Sequence, residues 1–511
     1  MRLPFPERIS LWRASFFASL LFFVQLLEGT HLYFALCSFL FIVVATVAFN
    51  LAGGFTRTSG AYVFFFAVLA VILGLICKAI LGEPADSNLT APNLTITVFL
   101  GGITAMLGAV FISRKLTTKR ALLQNIVADE NMHSASVGCM VIGFLIIVIL
   151  TAVPHENGSA LSALSQINRF FPMAILLGVI HQIRKSGGKS SVNLSVLISA
   201  AVVFGTGLLN YGKEAIFTPL VCWGIAAMSQ RYKVALSQVI GGVIAIALIL
   251  YYLVPYSQYG RIFRDPDQSL SDNIKTSLSL LSNLDEVRKI SRQTEEENRD
   301  LGGGGYFNTP QGLFDRLQMI SVDDQLIAYT DQNGTAGPAP IIMSFQNLIP
   351  HFLWANKPTL NFGNQYAHEL GYLAEDDTTT GISFSPSGEG FHVLGWMGVL
   401  VVAPLLWIMM FTLYDSLCGD VRKSPWGLLV VVYVSHVAPE GSLGGVIYML
   451  GYLAVGLLFM TFSAAYVMPI VGTLVAGPGK RRLRRIVVPH SFPRRVLPRR
   501  LSSPAPPEAS V

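Results

Sequence analysis

Charged residues are scarce in this chain: Asp, Glu, Lys and Arg make up 13% of its 511 residues, about half of what a soluble domain carries. With 52% hydrophobic residues and a mean hydropathy of +0.54, such a chain reads as an integral membrane protein. Cysteine is sparse too. Cys37, Cys77, Cys139, Cys222 and Cys418 all lie in or beside apolar runs, which argues against a disulfide framework or a Cys/His zinc site in the one long polar segment. The glycine run at 302–305 lacks a downstream Lys-Ser/Thr and does not join a strand to a helix, so it reads as a flexible joint and not a phosphate loop. No internal repeat relates the two halves. The net charge of +6 is concentrated near the C-terminus, where residues 480–500 hold nine Lys and Arg in a Pro-containing tail. A basic tail after a last span fits a cytoplasmic segment facing anionic lipid, and argues against nucleic acid as a partner. The first apolar run has no clear small-residue cleavage site and reads as an uncleaved signal anchor.

What the chain does have is apolar runs, and a membrane span needs about 20 apolar residues. Candidate spans lie near 10–28, 31–51, 61–82, 94–113, 136–153, 168–182, 192–210, 215–229, 234–256, 391–413, 426–443 and 444–470. The expected fold class is therefore an all-α polytopic membrane protein of about twelve transmembrane helices. With the N-terminus inside, the inner loops hold Arg57, Arg114, Lys115, Lys119, Arg120, Arg184, Lys185, Lys189, Arg231, Lys233, Arg422 and Lys423. The short outer loops are free of Lys and Arg except for Lys213 in a tight turn, with Arg169 marginal at the start of its span. This is the positive-inside pattern. It puts both termini in the cytoplasm and turns the Tyr256–Gly390 segment, with nine basic against eighteen acidic residues, to the outer face. The expected domains are a bundle over 1–256, an extracytoplasmic loop domain over 257–390, a second bundle part over 391–470 and a basic tail over 471–511. Sequons at Asn88, Asn93, Asn157, Asn193 and Asn333 matter only where N-glycosylation occurs, and Asn193 falls at an inner boundary.

Within the loop, Leu270, Ile274, Leu278, Leu281, Leu284, Val287 and Ile290 recur at helical spacing and predict one amphipathic helix over Gln268–Arg299, lying on the membrane or on the protein. A second helix is expected over Leu313–Tyr329, carrying Arg316. The stretch Ile349-Pro-His-Phe-Leu-Trp-Ala-Asn-Lys-Pro358 follows, and the loop ends in Ser385-Pro-Ser-Gly-Glu389-Gly, just before Gly395-Trp-x-Gly398 opens a span.

That order of motifs resembles bacterial O-antigen and exopolysaccharide repeat-unit polymerases, the Wzy-type members of the O-antigen polymerase/ligase superfamily. The matching positions are Arg316, Ile349, Pro350, Leu353, Trp354, Lys357, Pro358, Ser385, Pro386, Ser387, Gly388, Glu389, Gly395, Trp396 and Gly398, about a fifth of the chain. His351 departs from the pattern, which has Arg after Ile-Pro in many relatives. The resemblance implies a metal-independent glycosyltransferase of the bacterial inner membrane with no cofactor. Its substrate would be oligosaccharide units on polyprenyl diphosphate. Membrane lipids, a chain-length regulator and a flippase would be its candidate partners. Such a reaction needs cations at the departing diphosphate, a task that suits the guanidinium fork, and a group that takes the proton of the attacking hydroxyl.

The cationic candidates are Lys213, Arg261, Arg264 and Arg316. Arg261 and Arg264 emerge just past the ninth span, where interfacial snorkelling explains them about as well as substrate binding. Lys213 and Glu214 open a short span; a charge within the membrane costs about 2.5–3.5 kcal/mol on insertion scales and so tends to face a cavity or a partner, here either each other or substrate. His436 and Glu440 sit similarly in the eleventh span, with helix packing the plainer explanation, and snorkelling covers Lys78 and Arg169 near their span ends. Glu389 is the expected proton acceptor, set against a plain dipole interaction at its helix start, with His392 in reserve. His351, Trp354, Lys357 and Tyr366 are candidates for a glycan groove, or equally for core packing. The competing readings are a ligase of the same superfamily and a twelve-span secondary transporter, which commonly shows a repeat in two halves.

Overall fold

The computed structural model describes residues 1–124, 126–153, 168–263, 270–300, 305–312, 314–315, 317–350, 353–354, 357–358, 361–373, 376–378 and 380–477. The chain is all-α. The first bundle part comprises α1 (Leu11–Leu27), α2 (Leu32–Ala52), α3 (Thr58–Leu81), α4 (Pro92–Leu116), α5 (Met132–Ala152), α6 (Phe170–Lys185), α7 (Leu194–Leu209), α8 (Lys213–Ser229) and α9 (Leu236–Phe263). The loop domain follows with α10 (Leu270–Ser282), α11 (Leu284–Asp300), α12 (Ile320–Asn333), α13 (Ala339–Gln346), α14 (Phe362–Glu369) and α15 (Pro386–Leu394). The chain returns to the bundle as α16 (Gly398–Lys423), α17 (Pro425–Glu440) and α18 (Ser442–Ala476). Among the described residues, the only isolated β-bridge pairs Arg2 with Lys233.

Every apolar run read from the sequence is helical, the one from 391 being divided between α15 and α16, and seven helices (α2, α3, α4, α5, α9, α16 and α18) are long and apolar enough to cross a membrane. The protein is thus a multi-spanning membrane protein. Glycines in the left-handed conformation end α2 and α3, with Gly53 at φ 95° and Gly82 at φ 68°, as helix termini commonly require. Inside the bundle Trp407, Trp426, Tyr62 and Tyr414 are fully buried, and Trp407 Nε1 donates to Tyr62 Oη at 3.2 Å.

Small residues set the most extensive helix contact, between α5 and α18. A Cβ on Gly138 would overlap the Met468 carbonyl, and one on Gly472 would overlap the Ser134 carbonyl. Close backbone approach through small residues drives helix association in lipid. Gly138→Leu is therefore expected to separate α5 from α18. Thermal unfolding in detergent should drop by several degrees, consistent with an overpacking cost of about 1–3 kcal/mol; an unchanged midpoint would contradict this packing.

Two expectations for the loop need correction. The amphipathic run is two helices, α10 and α11, divided at Asn283. Its apolar positions Leu281, Leu284 and Val287 pack on Tyr211 and Tyr256 of the bundle, while Ile274 and Leu278 remain exposed. The helix expected over Leu313–Tyr329 starts only at Ile320. Ahead of it, Asp315 accepts from the Gln311 amide at 2.6 Å and Gly312 takes φ 63°, a turn that competes with helix.

Candidate functional site

The loop domain is fixed to one end of the bundle by buried carboxylates that satisfy helix N-termini. The first amides of a helix have no partner within it. Adjacent acids on α12 supply two such partners. Asp324 accepts from the Ala91 amide at 3.0 Å, from the Thr95 hydroxyl at 2.8 Å and from the Thr90 amide, which closes the start of α4. Asp323 accepts from the Ser385 amide at 3.0 Å, at the start of α15. Both are fully buried. Burial pushes the Asp323 carboxyl up to about 7, against the opposing pull of its Ser385 hydrogen bonds, with Glu389 and Asp324 adding to the rise. The Asp324 carboxyl is raised by burial as well.

The Ser-Pro-Ser-Gly-Glu-Gly motif then acquires a role at each position. Ser385 is the N-cap of α15, its Oγ accepting from the Gly388 amide at 3.1 Å, and Pro386 occupies the first turn, where a missing N–H is harmless. Ser387 lies against Gly102 of α4, Gly388 leaves room for the Asp323 carboxyl, and Gly390 meets Gly398 backbone to backbone. At Gly388 a Cβ would stand 2.6 Å from Asp323 Oδ1. Gly395, at φ 60°, turns α15 away from α16. The span expected from 391 is thus a short separate helix followed by α16.

Glu389 is 3% exposed. Its carboxylate accepts from the Leu443 amide and from the Tyr366 hydroxyl at 3.4 Å, with Ser442 and Gly444 also donating. It therefore closes the N-terminus of α18, where Ser442 sits at φ 54° and donates its amide to the Phe384 carbonyl at 3.1 Å. Burial raises the Glu389 carboxyl, and these donors oppose the rise. His392 is 1% exposed, with Nδ1 2.8 Å from the Thr330 hydroxyl, Nε2 3.4 Å from Glu369, and its ring 4.6 Å from that of Tyr366.

Of the glycan candidates, Tyr366 is enclosed between Phe362, Phe384 and His392. Lys357 donates to the carbonyls of Asn347 at 2.9 Å and Ile349 at 2.8 Å, just after α13. Trp354 is half-buried, and His351 lies outside the described residues. Of the cationic candidates, Arg264 and Arg316 also lie outside them. Arg261 is exposed on the last turn of α9, and Lys213 opens α8, half-buried.

The structure brings together a different set of polar residues at the same end of the bundle. Arg169, at the start of α6, stacks over Tyr433 of α17 at 5.0 Å, hydrogen-bonds Tyr448 and lies within electrostatic reach of Glu214. Arg169, Tyr433 and Tyr448 line, with Tyr452, Leu429 and Leu457, a cleft between α6, α17 and α18. A π-turn at Met449–Leu453 sets the spacing of Tyr448 and Tyr452, and Tyr414 Oη donates to its Met449 carbonyl at 2.6 Å. One turn beyond Tyr433, His436 Nδ1 meets Glu440 Oε1 at 2.8 Å. The chain then breaks at Pro439 to Ser442, where a Cβ on Gly441 would overlap the Val437 carbonyl, and Glu389 holds the far side of that break.

Compared with known proteins, the chain matches no family model, no curated protein and no solved structure. Its site must be read from its own chemistry. Among the described residues, no group of three or more His, Cys, Asp or Glu is arranged to hold a metal ion. The cleft offers instead a guanidinium among three phenol rings, beside a histidine–carboxylate pair. This combination suits an anionic headgroup followed by a sugar, through bidentate charge-assisted contacts and ring faces. Sequence reading singles out Arg169 by itself and His436 with Glu440 in one span, without linking the three. It misses Asp323, Asp324, Tyr433, Tyr448 and Tyr452; the adjacent acids in an otherwise half-apolar stretch and the four-residue spacing of the tyrosines are the available signals.

Proposed function

We propose that this protein is a membrane glycan polymerase that joins polyprenyl-diphosphate-linked oligosaccharide repeat units. In this reading the chain has twelve spans, both termini lie in the cytoplasm of a bacterial cell, and the loop domain faces outward. The observation that carries the proposal is the Arg169 cleft: a cation with aromatic neighbours, at the bundle end that the loop domain covers. A lipid diphosphate would reach such a site from the bilayer with its headgroup at the interface. Arg169 would hold the diphosphate, with Lys213 and Arg261 as the described sequence candidates for further cations. Buried acids supply the frame: Asp324 fastens the loop domain to α4, Glu389 of the Ser-Pro-Ser-Gly-Glu motif fastens it to α18, and Asp323 ties α12 to α15 within it.

The reading needs no metal and no nucleotide sugar. Purified protein in vesicles, given lipid-diphosphate-linked repeat units, is expected to produce a ladder of longer glycans. Transport of the unit across the vesicle without covalent change would instead support a transporter, and transfer only to a lipid A core acceptor would support a ligase.

A further inference from the structure

We infer that His436, oriented by Glu440, is the group that takes the proton from the attacking sugar hydroxyl. The inference rests on the polymerase reading and names the base of that reaction. A working base must be oriented, within reach of substrate, and close to where the leaving charge is held. Glu389 and His392 are 3% and 1% exposed, and each already has hydrogen-bond partners inside the protein. In the His436–Glu440 pair the side chains are 47% and 34% exposed.

The geometry of α17 ties this pair to the cleft. Leu429, Tyr433, His436 and Glu440 follow at spacings of four, three and four residues, so they share one helix face. Leu429 and Tyr433 line the Arg169 cleft, which puts His436 one turn further along, toward the loop domain. A carboxylate on Nδ1 fixes the ring and makes that nitrogen the donor, leaving Nε2 to accept a proton. The charged groups that act on His436 are Glu440 on its own helix and Glu214 on α8; one turn back, Tyr433 faces Arg169 at the start of α6, Tyr448 on α18 and the same Glu214.

The step balances without any co-reactant. The acceptor hydroxyl loses its proton to Nε2 of His436, and its oxygen forms a bond to the anomeric carbon of the lipid-linked donor. The bond from that carbon to the diphosphate oxygen breaks, and the electron pair leaves with polyprenyl diphosphate, whose charge faces Arg169. Glu440 stabilises the imidazolium until it returns the proton to water.

The test uses full-length protein in vesicles with lipid-diphosphate-linked repeat units, scoring glycan ladders, and binding of the labelled lipid in a separate measurement. His436→Gln is expected to lower turnover by about 10²–10⁴-fold, the usual range for a lost general base, while lipid binding stays at the wild-type level. Glu440→Gln is expected to keep part of the turnover and to move the acidic limb of the rate–pH profile to lower pH, because the imidazolium loses its carboxylate. Wild-type ladders together with near-normal turnover in His436→Gln, or an unmoved acidic limb in Glu440→Gln, would overturn the inference alone. Absence of ladders from the wild-type protein would overturn the polymerase reading, and this base with it.

Discussion

Arg169→Ala is expected to lower glycan polymerisation by about 10²–10³-fold, the range seen when one preorganised donor to a developing anion is removed. The guanidinium stacks over Tyr433 and hydrogen-bonds Tyr448 in a cleft with few other polar groups. In such surroundings an anion's attraction to it is screened far less than in water. The bound diphosphate is already anionic and gains a further negative charge as it departs, so the loss should fall on binding and, more heavily, on turnover. Arg169→Lys separates charge from geometry: it keeps the cation but loses the planar fork and its stacking on the ring, so it should recover only part of the activity. Arg184 is the control. It pairs with Asp129 and Gln230 at the C-terminal end of α6, opposite to Arg169, and Arg184→Ala should leave polymerisation within a few-fold of wild type. Equal losses from Arg169→Ala and Arg184→Ala would mean that both act through folding, and would remove the cleft from the mechanism.

The bundle is legible in the sequence because lipid demands continuous apolar helices, and a local average of side-chain polarity detects them. The predicted runs are helical for that reason, although the one from 391 is divided at Gly395. The loop domain is less legible, because its helices end where particular tertiary partners let them. That Leu284 and Val287 pack on Tyr211 and Tyr256 depends on bringing distant chain segments together, which no local pattern reveals. The motif ending at Gly390 is visible as a motif, yet its chemistry is not. From sequence, Glu389 is a proton acceptor or a charge at its own helix start, whereas its carboxylate lies at the N-terminus of α18, 54 positions along the chain. Arg169 shows the same limit from the other direction. As a lone cation at a span end it reads as snorkelling, and only the approach of Tyr433 and Tyr448 makes a cleft of it. His436 and Glu440, four residues apart on one helix, are within reach of sequence reasoning, because that pairing is local.

Asp323 gives the largest expected effect on stability, and its sign follows from its surroundings. Burial raises the carboxyl from its ordinary 3.8 to about 7, so the folded protein holds this proton more tightly than the unfolded chain does. Stability from this group is therefore fully present below pH 3.8, falls as pH rises, and is lost above about pH 7. A tenfold difference in proton affinity is worth about 1.36 kcal/mol, so the whole change is about 4 kcal/mol. Asp324 and Glu389, also raised by burial, add to the same trend. Asp323→Asn keeps an oxygen for the Ser385 amide but has no proton to lose. The variant should match the wild type near pH 4 and unfold at a higher temperature near pH 8, with a flatter profile between. The thermal midpoint in detergent from pH 4 to 8 measures this directly, and amide exchange at Ser385 and Gly388 shows whether the change is local to the start of α15. If the two profiles ran parallel, the Asp323 carboxyl would titrate alike in the folded and unfolded chains, and its place against Gly388 and Ser385 could not be the buried one described here.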